Sequence, residues 1–110
     1  MNVKRVQLVV AAPAEAVEQI LDAISNAGGG IIGEYTHCAY TSTGTGHFKP
    51  SGDASPHIGT KQAINTVDEV RIETFCDRDM AKAVVSAIRE AHPYEEPVIY
   101  IVPLLAEEDL

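Results

Sequence analysis

Hydrophobic positions recur along this chain with two different periods, and the alternation between them outlines the fold. Val3 to Ala12 is β-branched and apolar on both faces, as expected of a strand covered from two sides. Pro13 then suits the first position of a helix, where a missing N–H costs nothing. From there Val17, Ile20, Leu21 and Ile24 repeat at helical spacing and form one apolar stripe. Gly28-Gly29-Gly30 ends the helix, and Gly28 is suited to a left-handed cap. Ile31 to Thr43 is rich in β-branched residues and tyrosine and predicts a second strand. Gly44 to Asn65 is dense in Gly, Pro, Ser and Thr and predicts a long excursion, anchored by Phe48 and Ile58. Val70 to Cys76 alternates and predicts a third strand. Asp77 or Asp79 is expected to cap a second helix with the stripe Met80, Val84, Ala87, Ile88 and Ala91. Val98 to Leu105 gives the last strand, and Ala106 to Leu110 an acidic tail expected to be loose.

The resulting order, β-α-β-β-α-β, predicts an α+β fold of the ferredoxin-like kind: a four-stranded antiparallel sheet with both helices on one face, in a single domain. The helix-free face would expose apolar side chains of the first and last strands. A patch of that kind calls for a cover, and a second copy of the chain is the expected one.

Composition narrows the partners. Of 110 residues, 45% are hydrophobic, with no tryptophan, two phenylalanines and four tyrosines, so aliphatic side chains must fill the core. The formal net charge of −8 repels phosphate backbones and anionic headgroups, so neither nucleic acid nor membrane is an expected partner. Cys38 and Cys76 form no close-spaced pair and are expected to be reduced thiols of a cytoplasmic protein. Lys4 and Arg5 followed by an apolar stretch resemble a signal peptide. That stretch is short, contains Gln7 and runs into an amphipathic helix, so a first strand is the better reading.

The candidate chemistry is concentrated in His92-Pro93-Tyr94-Glu95-Glu96-Pro97, between the second helix and the last strand. Two prolines stiffen the corner and bias His92 and Glu96 away from helix. Such a corner could present His92, Tyr94, Glu95 and Glu96 to a ligand; it would equally serve only to aim the last strand. His37, His47 and His57 follow no metal-binding spacing. Imidazole and carboxylate ligands from His37, His47, His57, Glu73, His92 and Glu95 would suit a divalent cation of the zinc or copper type. Gly44-Thr45-Gly46 could offer backbone N–H groups to an anion, although glycines in a flexible hairpin explain themselves. No nucleophile–base pair is evident, and Glu95 and Glu96 diverge in an extended segment, so catalysis is not the expected role.

Five ordered segments add a resemblance: Ile32-Gly33-Glu34-Tyr35-Thr36-His37-Cys38, Gly44-Thr45-Gly46-His47-Phe48-Lys49-Pro50, Pro56-His57-Ile58-Gly59, Val70-Arg71-Ile72-Glu73-Thr74 and the corner itself. Together they resemble the domain inserted in YqfO-type, Nif-three-like dinuclear-metal proteins, over about residues 3 to 105. The corner also resembles the end of CutA proteins, which share their fold with PII signalling proteins. The resemblance implies a homotrimer with its sheets facing inward, and a sensor, carrier or regulator binding a small ligand or metal ion at clefts between subunits. A trimer would bring His47 or His57 of one subunit toward His92, Glu95 or Glu96 of the next. A scaffold without ligand and a metal-dependent hydrolase are the alternatives. In the Nif-three-like family the metal centre belongs to the flanking domains, so this chain is expected to be the accessory domain alone.

Overall fold

The structure, a computed structural model, describes residues 2–110. Strand β1 (Arg5–Ala12) leads through a 3-10 turn at Ala14–Ala16 into helix α1 (Val17–Asn26). Strands β2 (Tyr40–Phe48) and β3 (Asn65–Asp77) form a hairpin, and helix α2 (Ala81–Ala91) returns the chain to strand β4 (Ile99–Leu104). The four strands lie in the order β2-β3-β1-β4, with every neighbour antiparallel. This is the expected ferredoxin-like arrangement. No helix among the described residues is long and apolar enough to cross a membrane.

The alternation of β1 decides where the core sits. Val6, Leu8, Val10 and Ala12 point to one face and pack with Ile72 and Cys76 of β3, Ile20 and Ile24 of α1, and Val84 and Ile88 of α2. Leu8, Val10, Ile20, Ile72, Val84 and Ile88 are fully buried. Val9 points the other way, between Glu73 and Tyr100 on the neighbouring strands, and is buried without any help from the helices. The face it occupies carries Tyr40, Phe75, Tyr100 and Val102, interleaved with Arg5, Gln7, Arg71 and Glu73. Tyr100 is 59% and Val102 40% exposed. Arg5 covers the ring of Phe75, its guanidinium 4.7 Å from the ring centroid.

The second strand begins nine residues later than its composition suggested. Ile31 to Ala39 is a folded loop, because Gly30 (φ 64), Gly33 (φ 57) and His37 (φ 59) all take left-handed conformations that break extension. Ile32 and Tyr35 exchange N–H···O=C bonds of 2.9 Å across a tight turn. The loop is fastened at its ends: Gly30 N–H donates to Phe75 O (2.8 Å), Cys38 N–H to Gly30 O (2.9 Å), and Thr74 Oγ1 to Cys38 O (2.8 Å).

The excursion is also shorter than expected. Gly44 to Phe48 continues β2 in register with Glu69 to Asn65, so only residues 49–64 form the loop. Asn65 organises its end by accepting from Thr60 N–H (2.9 Å) and donating to the carbonyls of Thr60 and Ala63 (2.8 Å each). Pro50 is buried, and Phe48 and Ile58 are half-buried, as anchors should be. Neither Asp77 nor Asp79 caps α2 with its side chain; a 3-10 turn at Arg78–Met80 starts the helix instead. Met80 is not part of the buried stripe: it is 39% exposed and covers Gly28, whose φ of 101 is the left-handed cap expected there. The tail holds a 3-10 turn at Glu107–Asp109, where Asp109 accepts from Ala106 N–H (2.9 Å).

A side chain at Gly30 would place its Cβ 3.0 Å from Cys38 O and 3.1 Å from Thr74 Oγ1, at a left-handed φ. Gly30→Ala is therefore expected to lower stability by about 1–3 kcal/mol. The urea-unfolding midpoint measures this, and an unchanged midpoint would contradict the fastening role assigned to Gly30.

Candidate ligand-binding site

Pro93 stops α2, and His92 turns out of the helix into an extended conformation (φ −79, ψ 133). Its ring does not point outward with the rest of the corner. It lies buried, donating from Nε2 to Ala11 O (2.7 Å) and accepting the Tyr94 N–H at Nδ1 (3.1 Å). The acceptor role of Nδ1 fixes the tautomer with its proton on Nε2. Both nitrogens are thus committed to the backbone, and neither offers a lone pair to a metal. This corrects the expected ligand role: His92 is the fastening of the corner.

The bolt at His92 sets Tyr94. The two rings lie 4.7 Å apart between centroids at 55°, and the His57 ring lies 6.3 Å from that of Tyr94. Tyr94 Oη is wholly buried and has no hydrogen-bond partner among the described residues. Burial pushes the phenol up from its ordinary value of 10.0, and the carboxylate of Glu69 adds to the shift. That carboxylate lies beside the hydroxyl but outside hydrogen-bonding geometry. Glu95 reaches the hairpin loop, accepting the Ser55 N–H at 3.0 Å.

Between the loop and the corner lies a pocket of about 230 Å³. His47, His57 and Glu69 line it from the hairpin, and Tyr94, Glu95 and Glu96 from the corner. Its remaining walls are apolar, formed by Phe48, Pro50, Ala54, Pro56, Ile58 and Val98. Five residues singled out in the sequence meet here within one chain, with no second subunit needed to bring them together. Glu69 was not anticipated, because its position depends on the register of the hairpin. A glycine inside a β-strand was the available signal: a Cβ at Gly46 would run into the Glu69 carboxylate.

Other expected site residues lie elsewhere. Gly44 and Gly46 are paired strand residues opposite Glu69 and Val67, not an anion-binding loop. Glu73 is held by Arg71 (Nε to Oε1, 2.9 Å). His37 sits in the loop before β2, with Nε2 2.8 Å from Asp22 Oδ1 and Nδ1 2.9 Å from Thr36 Oγ1. Among the described residues, no three His, Cys, Asp or Glu side chains converge closely enough to hold a metal ion. Cys38 and Cys76 are both free thiols, and burial pushes the Cys76 thiol up.

Sheet order, helix placement and corner define the class: an α+β fold of the CutA/PII type. The periplasmic divalent cation tolerance protein CutA of Archaeoglobus fulgidus superposes with a TM-score of 0.67 at 16% identity, covering 96% of this chain and 91% of that one. At that identity the likeness is one of fold. Within this class the chain is homologous to one segment of the NIF3-related proteins. A Bacillus subtilis GTP cyclohydrolase 1 type 2 homolog is 46% identical over 98 residues, 89% of this chain and 26% of that protein. The Bacillus cereus protein related to NIF3 superposes with a TM-score of 0.81 at 35% identity, over 94% of this chain and 26% of its own. The chain spans about a quarter of the length of these relatives. No family model matches it.

Two outcomes follow from the corner. His92→Ala leaves the Ala11 carbonyl and the Tyr94 N–H without partners and should cost about 1–3 kcal/mol in chemical unfolding, with no metal needed to see the loss. Tyr94→Phe removes an unpartnered buried hydroxyl and should leave stability at pH 7 unchanged or slightly higher. Since the folded-state pKa of Tyr94 is raised, the unfolded chain ionises first, so this group leaves stability untouched below pH 10 and lowers it as pH rises above that value. Unfolding from pH 8 to 11 should therefore show a shallower alkaline decline for Tyr94→Phe than for the parent protein.

Proposed function

We propose that this chain is a homotrimeric, cytoplasmic ligand-binding module that acts as a sensor, carrier or regulator. The observation that carries the reading is the pocket itself, where the polar corner and the hairpin loop meet around a cavity with apolar walls. Trimerisation is supported by the exposed Tyr40, Tyr100 and Val102 on the open sheet face and by the CutA/PII fold. Glu69 and Val98 line both the pocket and a shallow hollow on that face, beside Val9 and Tyr100. A copy packed on the sheet would therefore reach the rim of the pocket, which makes it a cleft site in the assembly. Reduced Cys38 and Cys76 fit a cytoplasmic location.

A divalent cation is the second reading, favoured by His47 and His57 sharing the pocket with three carboxylates. The closely superposing CutA protein is named for divalent cation tolerance. Hydrolysis has less support, since the GTP cyclohydrolase name belongs to proteins of which this chain matches 26%.

Native mass spectrometry of protein purified without chelators tests the proposal. A trimer is expected, carrying added mass in multiples of three when ligand is retained. Tyr100→Glu combined with Val102→Glu should yield monomers that remain folded by circular dichroism. A monomeric parent protein would overturn the assembly.

A further inference from the structure

We propose that the pocket takes a small organic cation, with ammonium or guanidinium groups on a short aliphatic body. This inference rests on the reading of the pocket as a ligand site and names the class of ligand.

The charge of the lining is one-sided. Glu69, Glu95 and Glu96 contribute three carboxylates, and among the described residues no lysine or arginine lines the cavity. The ion pairs among the described residues are Lys4–Glu108, Arg5–Asp77, Asp22–His37 and Arg71–Glu73, so none of the three pocket carboxylates is neutralised by a side chain. Lys61, on the same loop, is turned away to donate to Gly52 O at 3.2 Å. An anionic ligand would meet three like charges with no compensating donor; a cation would supply the missing partner.

Tyr94 points to a ligand independently of the charges. Its hydroxyl is wholly buried in the pocket wall with no partner, and buried polar atoms are seldom left so without a reason. A ligand that shifts the pocket wall and brings an ammonium or guanidinium N–H to Oη would satisfy it as an acceptor, with its own proton turned toward Glu69. Glu95 commits one oxygen to Ser55 N–H, and the other remains for a ligand.

The walls separate an organic cation from a metal ion. Phe48, Pro50, Pro56, Ile58 and Val98 offer nothing to a hydration shell but suit methylene groups. Phe48 and Tyr94 also line the cavity, and aromatic rings attract organic cations. The lack of three converging metal-ligating side chains among the described residues argues the same way. The cavity of about 230 Å³ limits the ligand to a small molecule.

The test titrates the full chain with 1,4-diaminobutane, with the neutral isostere 1,4-butanediol, with the dianion succinate and with zinc chloride. Amide NMR shifts of Ser55, Ile58, Tyr94 and Glu95 are followed. Saturable shifts are expected with the diamine alone, weakening as salt is raised. Glu69→Gln and Glu95→Gln should each weaken diamine affinity by about tenfold, that is about 1.4 kcal/mol, while native mass and the amide fingerprint elsewhere stay unchanged. Shifts with butanediol or succinate but not the diamine would overturn the cation class and leave the ligand pocket standing. Saturation by zinc alone would replace it with the metal reading. If no probe moves these resonances, the cation inference and the pocket reading fall together.

Discussion

A single residue of β1 holds both ends of the corner on which the site is built. The carbonyl of Ala11 accepts from the His92 ring at 2.7 Å, where α2 has just ended, and its N–H donates to Val98 O at 3.4 Å, where β4 is about to begin. The five residues between His92 and Val98 are thereby spanned from one central-strand position, and Pro93 and Pro97 leave the segment few ways to fold between those fixed points. Tyr94, Glu95 and Glu96 have to bulge toward the hairpin. The buried imidazole makes this possible by supplying a donor to the Ala11 carbonyl just where the helix has ended. The polar wall of the pocket is therefore a consequence of how a helix is joined to an edge strand.

The parts of this molecule that were legible in its sequence are those where the hydrophobic period is a sufficient cause. Ile20 and Ile24 of α1, and Val84 and Ile88 of α2, could only face a core, and they do. Between Ile31 and Phe48 composition misplaces the strand, because β-branched content says nothing about φ. Three left-handed residues, Gly30, Gly33 and His37, turned apparent strand into loop, while Thr and Gly in the apparent loop were carried into strand by pairing with β3. Tertiary pairing outweighed local propensity at both ends.

The same distinction divides the site. A stiff polar corner was visible in Pro93 and Pro97, and so was the candidacy of Tyr94, Glu95 and Glu96. Which side chains point outward was not visible, and His92 proved to be an internal tie. Glu69 belongs to the pocket only through the hairpin register that sets it diagonally across from Gly46, and a register of that kind is a long-range fact. His47 and His57, ten residues apart, were brought to one cavity by the loop closing between Phe48 and Asn65, not by any local geometry.

The two halves of the pocket differ in how firmly they are held. The corner rests on the central strand β1 and on a buried ring. The loop of residues 49–64 lies outside the helix-covered core and meets the corner through Glu95 and Ser55, with Pro50 as its buried anchor. Surface loops with few tethers open at less cost than core strands, so one wall of this pocket is rigid and the other is the natural door. A ligand bridging Glu69 and Tyr94 to the loop side would add cross-links where the native structure has few, and would order the loop as it binds. Because Glu69 and Val98 also border the open sheet face, that ordering would reach the surface on which another copy would pack in the proposed assembly. In such an assembly, coupling between occupancy and packing would run through these shared residues, with no separate relay through the core required.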